Sequence, residues 1–216
     1  MYKIGYIDED KGWRSTFRQY LKDDFEIVLF DINEETTVET LVDDVFNQAM
    51  DMLVIDFRLD ETGLVDFNAD TLVDKIQERN LYYPLIILTS FESDALDHLE
   101  NANLVNGKDM LSGDNSSKVS ILKQKISKIA NDYISKMKET VLELEILEKR
   151  RVKNGLEPNE EDRFVELNNY LDKTTSAKGR LSRTFYSEDT NKKLDELICK
   201  TEQLLKQIMF KNEPNA

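Results

Sequence analysis

One cysteine and one histidine are all that this 216-residue chain offers of the two side chains most used in nucleophilic and transition-metal chemistry. Cys199 has no second thiol with which to form an internal disulfide or a thiolate zinc site, and its place in an apolar helical pattern reads as packing. His98, beside Asp97 and close to Glu100, reads as solvent-exposed, and without a second histidine a relay within the chain has little support. Positive charge is scarce in one half only. Residues 1–115 carry 9 Lys and Arg against 26 Asp and Glu, a balance of -17, whereas residues 116–216 carry +3. Phosphate contacts need clustered cations, so the acidic half is a poor nucleic-acid binder, and no nucleic-acid partner is expected. Apolar runs near the roughly 20 residues of a membrane span are also missing, so no membrane partner is expected. The first residues read as a strand rather than a secretory leader, which makes a cytoplasmic protein the default expectation.

What is present in residues 1–115 is a fivefold alternation of short apolar runs and amphipathic stretches. That pattern predicts a five-stranded parallel sheet flanked by helices, with strands at about 3–8, 26–31, 52–57, 85–90 and 103–106. The intervening helices are marked by Trp13, Phe17, Tyr20 and Leu21; by Val38, Leu41, Val42, Val45, Phe46 and Ala49; by Leu72, Val73 and Ile76; and, more weakly, by Leu96 and Leu99. The small polar stretch 112–117 reads as a hinge, giving a domain over 1–115 and a helical region over 116–216. There, Val119, Leu122, Ile126, Ile129, Tyr133, Met137, Val141, Leu144 and Leu147 predict one long helix, stopped by Asn154-Gly155. Two successive steps of four break a strict heptad and favour a helical bundle or imperfect coiled coil. Pro158 opens a second helix and Asp189 a third, and residues 211–216 are expected to fray. The basic run Lys149, Arg150, Arg151 and Lys153 suits a helix C-terminus through its dipole, or contact with the acidic half. Arg180 and Arg183, in a Ser/Thr-rich stretch, are weak candidates for an anionic partner.

Four polar features fall at the C-terminal ends of the expected strands, where open α/β sheets bind ligands. They are Asp8-Glu9-Asp10, Asp56, Thr89-Ser90 and Lys108. Converging carboxylates repel one another unless a cation shares the site, and oxygen ligands alone favour Mg²⁺. A carboxylate left free can then attack phosphorus, a lysine can hold a phosphoryl oxygen, and a hydroxyl can report its arrival. Asp10 is the alternative helix cap.

In the order and spacing of these residues, roughly the first 112 positions resemble the receiver domain of two-component response regulators. The resemblance implies a receiver-like (flavodoxin-like) fold, Asp56 as phosphoacceptor, Asp8 and Glu9 as the acidic pair holding Mg²⁺ with Asp56, and Arg58 lending its backbone carbonyl to the metal. It further implies Thr89 as the switch hydroxyl, Lys108 as the phosphate-binding lysine, and a sensor histidine kinase or phosphotransfer protein as donor. Asp109 stands where the family usually has proline, and Leu104 and Val105 where it has an aromatic residue. The stretch 60–68 is longer and more acidic than the family's loop, which suits a role in partner choice. A phosphatase using a strand-end Asp nucleophile would need a second Asp where Arg58 stands, so the chain is not expected to be an enzyme. The leading expectation is a phosphorylation-switched signalling protein whose helical region engages a protein target or a second copy of the chain. The alternative is a pseudo-receiver that binds proteins without phosphorylation.

Overall fold

The computed structural model describes residues 1–112 and 116–174. Part of the expected hinge (113–115), the third helix from Asp189, the 211–216 tail, Arg180, Arg183 and Cys199 lie outside the described residues. The elements run β1 (Lys3–Ile7), α1 (Lys11–Leu21), β2 (Glu26–Phe30), α2 (Val38–Asn47), β3 (Met52–Ile55), α3 (Ala69–Arg79), β4 (Leu85–Thr89), α4 (Glu92–His98), β5 (Val105–Gly107), α5 (Ser116–Asn154) and α6 (Pro158–Asp172). The strands form one parallel sheet in the order β2-β1-β3-β4-β5. This is the receiver-like, doubly wound arrangement, and its strand order reverses between β1 and β3.

Contacts divide the chain between Lys138 and Glu139, within α5. In the first unit, period-two alternation sends neighbouring side chains of each central strand to opposite faces. Leu53 and Ile55 of β3 join Leu41, Val42, Val45, Leu72, Val73 and Ile76 in one core. Met52 and Val54 join Phe17, Leu21, Leu122, Ile126 and Ala130 in the other. Burial on both faces explains why β3 and β4 read as continuous apolar runs. Gly5 lets β1 pack closely, because a Cβ there would meet Met50 Sδ and Leu53 Cδ1 and force those side chains to shift. The N-terminal part of α5 supplies the apolar stripe that covers the second face of the sheet.

Two expectations are corrected. The fifth strand begins at Val105 rather than 103, because Ala102–Leu104 winds into a 3-10 turn capped by the Asn101 side chain, which accepts the Asn103 N–H at 3.1 Å. Leu96 is exposed: α4 has only seven residues and turns Ala95 inward, with Leu99 buried just beyond its end.

In the second unit, the C-terminal part of α5 and α6 pack through Leu144, Leu147, Phe164 and Leu167, with Leu156 and Leu171 beside them. Gly155 ends α5 as expected, its φ of 77° lying in the left-handed region open to glycine. The basic run is used within this unit. Arg150 pairs with Glu160, Arg151 pairs with Glu161 at 3.1 Å, and the Arg151 guanidinium lies 4.8 Å from the centre of the Phe164 ring. Among the described residues, no helix is long and apolar enough to cross a membrane.

Candidate functional site

Asp8 follows directly after β1 and Asp56 directly after β3, so the pairing of Ile7 with Ile55 places the two carboxylates side by side at the strand-order reversal. Backbone geometry fixes them: the Asp56 N–H donates to the Ile7 carbonyl at 2.8 Å. Lys108 leaves the end of β5 and its ammonium bridges the pair, 2.9 Å from Asp8 Oδ2 and 2.8 Å from Asp56 Oδ2. Asp8, Glu9, Asp56 and Lys108 are all buried, at 0, 9, 3 and 5 % exposure. Charges so removed from water persist only where partners compensate them.

Three acids face one lysine, and the compensation is incomplete. Asp56 Oδ1 and Glu9 Oε2 are buried without a hydrogen-bond partner. One carboxylate oxygen from each of Asp8, Glu9 and Asp56 lies within 4.8 Å of the others, a spacing a divalent cation can bridge. The orphaned oxygens and the all-oxygen donor set fit a hard cation such as Mg²⁺. Burial pushes the Asp56 carboxyl up to about 7 against the pull of the Lys108 ammonium. Glu9 is raised by burial, with a backbone hydrogen bond pulling the other way. Burial alone would lower Lys108, but Asp56 and Asp8 outweigh it, and its net shift is upward.

Thr89 ends β4, fully buried, and its hydroxyl oxygen accepts the Phe91 N–H at 3.0 Å. Its own proton is therefore not committed by that bond. Arg58 sends its side chain to Asp94 at 2.8 Å and lies 4.0 Å from the centre of the Phe91 ring. Asp10 is the cap of α1, its carboxylate accepting the N–H groups of Gly12 at 2.6 Å and Trp13 at 3.1 Å. The long acidic loop is tied down by Asn68, whose side-chain oxygen accepts the Leu59 N–H at 2.9 Å.

Three residues of the site escaped sequence reasoning. Tyr6, fully buried, donates its hydroxyl to Asp8 Oδ2 at 2.5 Å. Burial first, and then the Asp8 carboxylate, hold its phenol well above the ordinary value. Its signal was spacing: Tyr6 and Asp8, two apart along one strand direction, project to the same side. Arg14 is 5 % exposed and donates to the carbonyls of Asp8 at 2.9 Å and Phe30 at 3.2 Å, tying together the ends of β1 and β2. Trp13 places its ring centre 5.2 Å from Lys108 Nζ.

No protein-family model matches the chain, and no curated protein sequence matches it. Among solved structures, a yeast Spc42 trimeric coiled-coil segment fused to another protein is similar at 16% identity and a TM-score of 0.43, covering 70% of this chain and 97% of that one. A response regulator protein from Burkholderia multivorans is similar at 18% identity and a TM-score of 0.31, covering 50% of this chain and 81% of that one. At such distances, function has to be argued from the site.

Proposed function

We propose that this chain is a response-regulator-like signalling protein that accepts a phosphoryl group on Asp56. The observation that carries the reading is the state of Asp56: one oxygen is held by Lys108, while the other is buried without a partner beside a second orphaned carboxylate oxygen. The donor is a phosphohistidine of a sensor kinase or phosphotransfer protein. An Asp56 oxygen attacks phosphorus, the P–N bond to the donor imidazole breaks, and the imidazole leaves with the bonding pair and takes up a proton. Lys108 holds a phosphoryl oxygen as a point charge, and Thr89, whose proton is available, donates to another. Asp8, Glu9 and Asp56, with the Arg58 carbonyl, would hold Mg²⁺. Bound there, the cation neutralises phosphoryl charge and relieves the repulsion among the carboxylates.

The output is assigned to the helical region, where Leu142 and Ile146 of α5 are 59 and 56 % exposed and offer an apolar surface to a protein target or a second copy. One experiment tests both parts. The full chain is incubated with phosphoramidate and Mg²⁺, its mass is followed, and light scattering is recorded on the same sample. An alkali-labile gain of one phosphoryl group, absent in Asp56→Asn and accompanied by a change in association, is expected.

The pseudo-receiver reading is favoured by the bridge that Lys108 makes between Asp8 and Asp56, which partly neutralises the acids without any cation. An unmodified protein, both with phosphoramidate and with a phosphorylated histidine-containing donor protein, would decide for it.

A further inference from the structure

Tyr6 contributes more than packing. The ring is fully buried and stacked on Phe17, with centroids 4.0 Å apart and planes 12° from parallel. A phenylalanine would fill that space without the cost of burying a hydroxyl. The hydroxyl instead reaches Asp8 Oδ2, which also accepts the Lys108 ammonium at 2.9 Å, while Asp8 Oδ1 accepts the Asp10 N–H at 2.9 Å. With two acceptor sites on each oxygen, Oδ2 is fully engaged and Oδ1 keeps one site open.

We propose that Tyr6 is a positioning residue for the divalent cation: by engaging Asp8 Oδ2 together with Lys108, it restricts Asp8 to a single donated oxygen and favours Mg²⁺ over Ca²⁺. The inference rests on the cation site proposed above. Mg²⁺ demands near-octahedral geometry with short bonds to single oxygens, whereas Ca²⁺ accepts two oxygens of one carboxylate and a looser shell. Partners that orient a metal-binding carboxylate contribute about 10-fold or more to affinity. Removing the hydroxyl frees an acceptor site on Oδ2 and lets the carboxylate turn, which harms the more exacting ion more.

The test is titration of full-length wild type and Tyr6→Phe with Mg²⁺ and, separately, Ca²⁺, by calorimetry and by Trp13 fluorescence. Tyr6→Phe is expected to weaken Mg²⁺ binding about 10-fold and Ca²⁺ binding distinctly less, so that the Mg²⁺ preference shrinks. Should the variant be too unstable for titration, the rise in melting temperature given by each cation ranks the same affinities. Equal weakening of both ions, the signature of loosened packing, overturns the proposal, as does unchanged Mg²⁺ affinity. A wild type that binds neither cation removes the site itself, a failure distinct from that of Tyr6 alone.

Discussion

The buried charge cluster of the first unit and the paired charges of the second sit in opposite environments. In the first, Asp8, Asp56 and Lys108 meet at 5 % exposure or less. In the second, Arg163 grips Glu143 through two hydrogen bonds of 2.8 and 2.7 Å, with both side chains about 40% exposed. Buried ions are costly and rarely raise stability, so their retention points to a task. Exposed pairs cost little and contribute little, and here they align two helices whose shared core has four buried apolar residues.

Substituting the bridging lysine gives the largest expected effect. Lys108→Met leaves two buried carboxylates facing each other and should lower the stability of the metal-free chain by about 3–5 kcal/mol in urea unfolding. Mg²⁺ should return part of that loss. A loss below about 1 kcal/mol would place the Asp8, Asp56 and Lys108 cluster in the same class as the surface pairs.

A smaller effect is expected from Asp56 and pH. Its carboxyl is raised from 3.8 to about 7, chiefly by burial. Between those values the folded chain holds a proton that the unfolded chain has released. The resulting stability is therefore complete below the ordinary carboxyl range and is lost as pH rises through about 7. Glu9 is raised as well and adds to the same slope. In chelator, Asp56→Asn should flatten the decline of melting temperature with pH and leave the variant more stable than wild type above pH 7 by about 2 kcal/mol. Parallel curves for the two proteins would show that Asp56 is solvated.

The smallest change belongs to the second unit. Arg163→Met should cost under about 1 kcal/mol in the same unfolding assay, and the loss should shrink further in high salt. A cost matching that of Lys108→Met would erase the contrast between the units.

Much of the first unit was legible because its physics is local. Runs such as Met52-Leu53-Val54-Ile55, spaced between amphipathic stretches, suit strands buried on both faces in the middle of a parallel sheet. An acid directly after such a run, as at Asp8 and Asp56, marks the C-terminal end of a strand, and the structure brings these two together. Lys108 was legible as a position but not as a bridge, since its two partners sit on other strands. Tyr6 was hidden because a tyrosine within an apolar strand looks like core, which it also is. The basic run at the end of α5 read as a dipole effect or a contact with the acidic half, while Arg150 and Arg151 in fact pair with Glu160 and Glu161 across the turn. The stripe along α5 gave no sign that its first part, with Leu122, Ile126 and Ala130, packs against the sheet. One amphipathic period serves either neighbour.

The amide of Asp56 is bonded to Ile7, and that of Leu53 to the Pro84 carbonyl, so β3 is laced on both sides by its neighbours. The amide protons of such a strand are expected to exchange with solvent only when the whole unit opens. The Asp56 carboxylate is thus mounted at the end of a strand held from both sides.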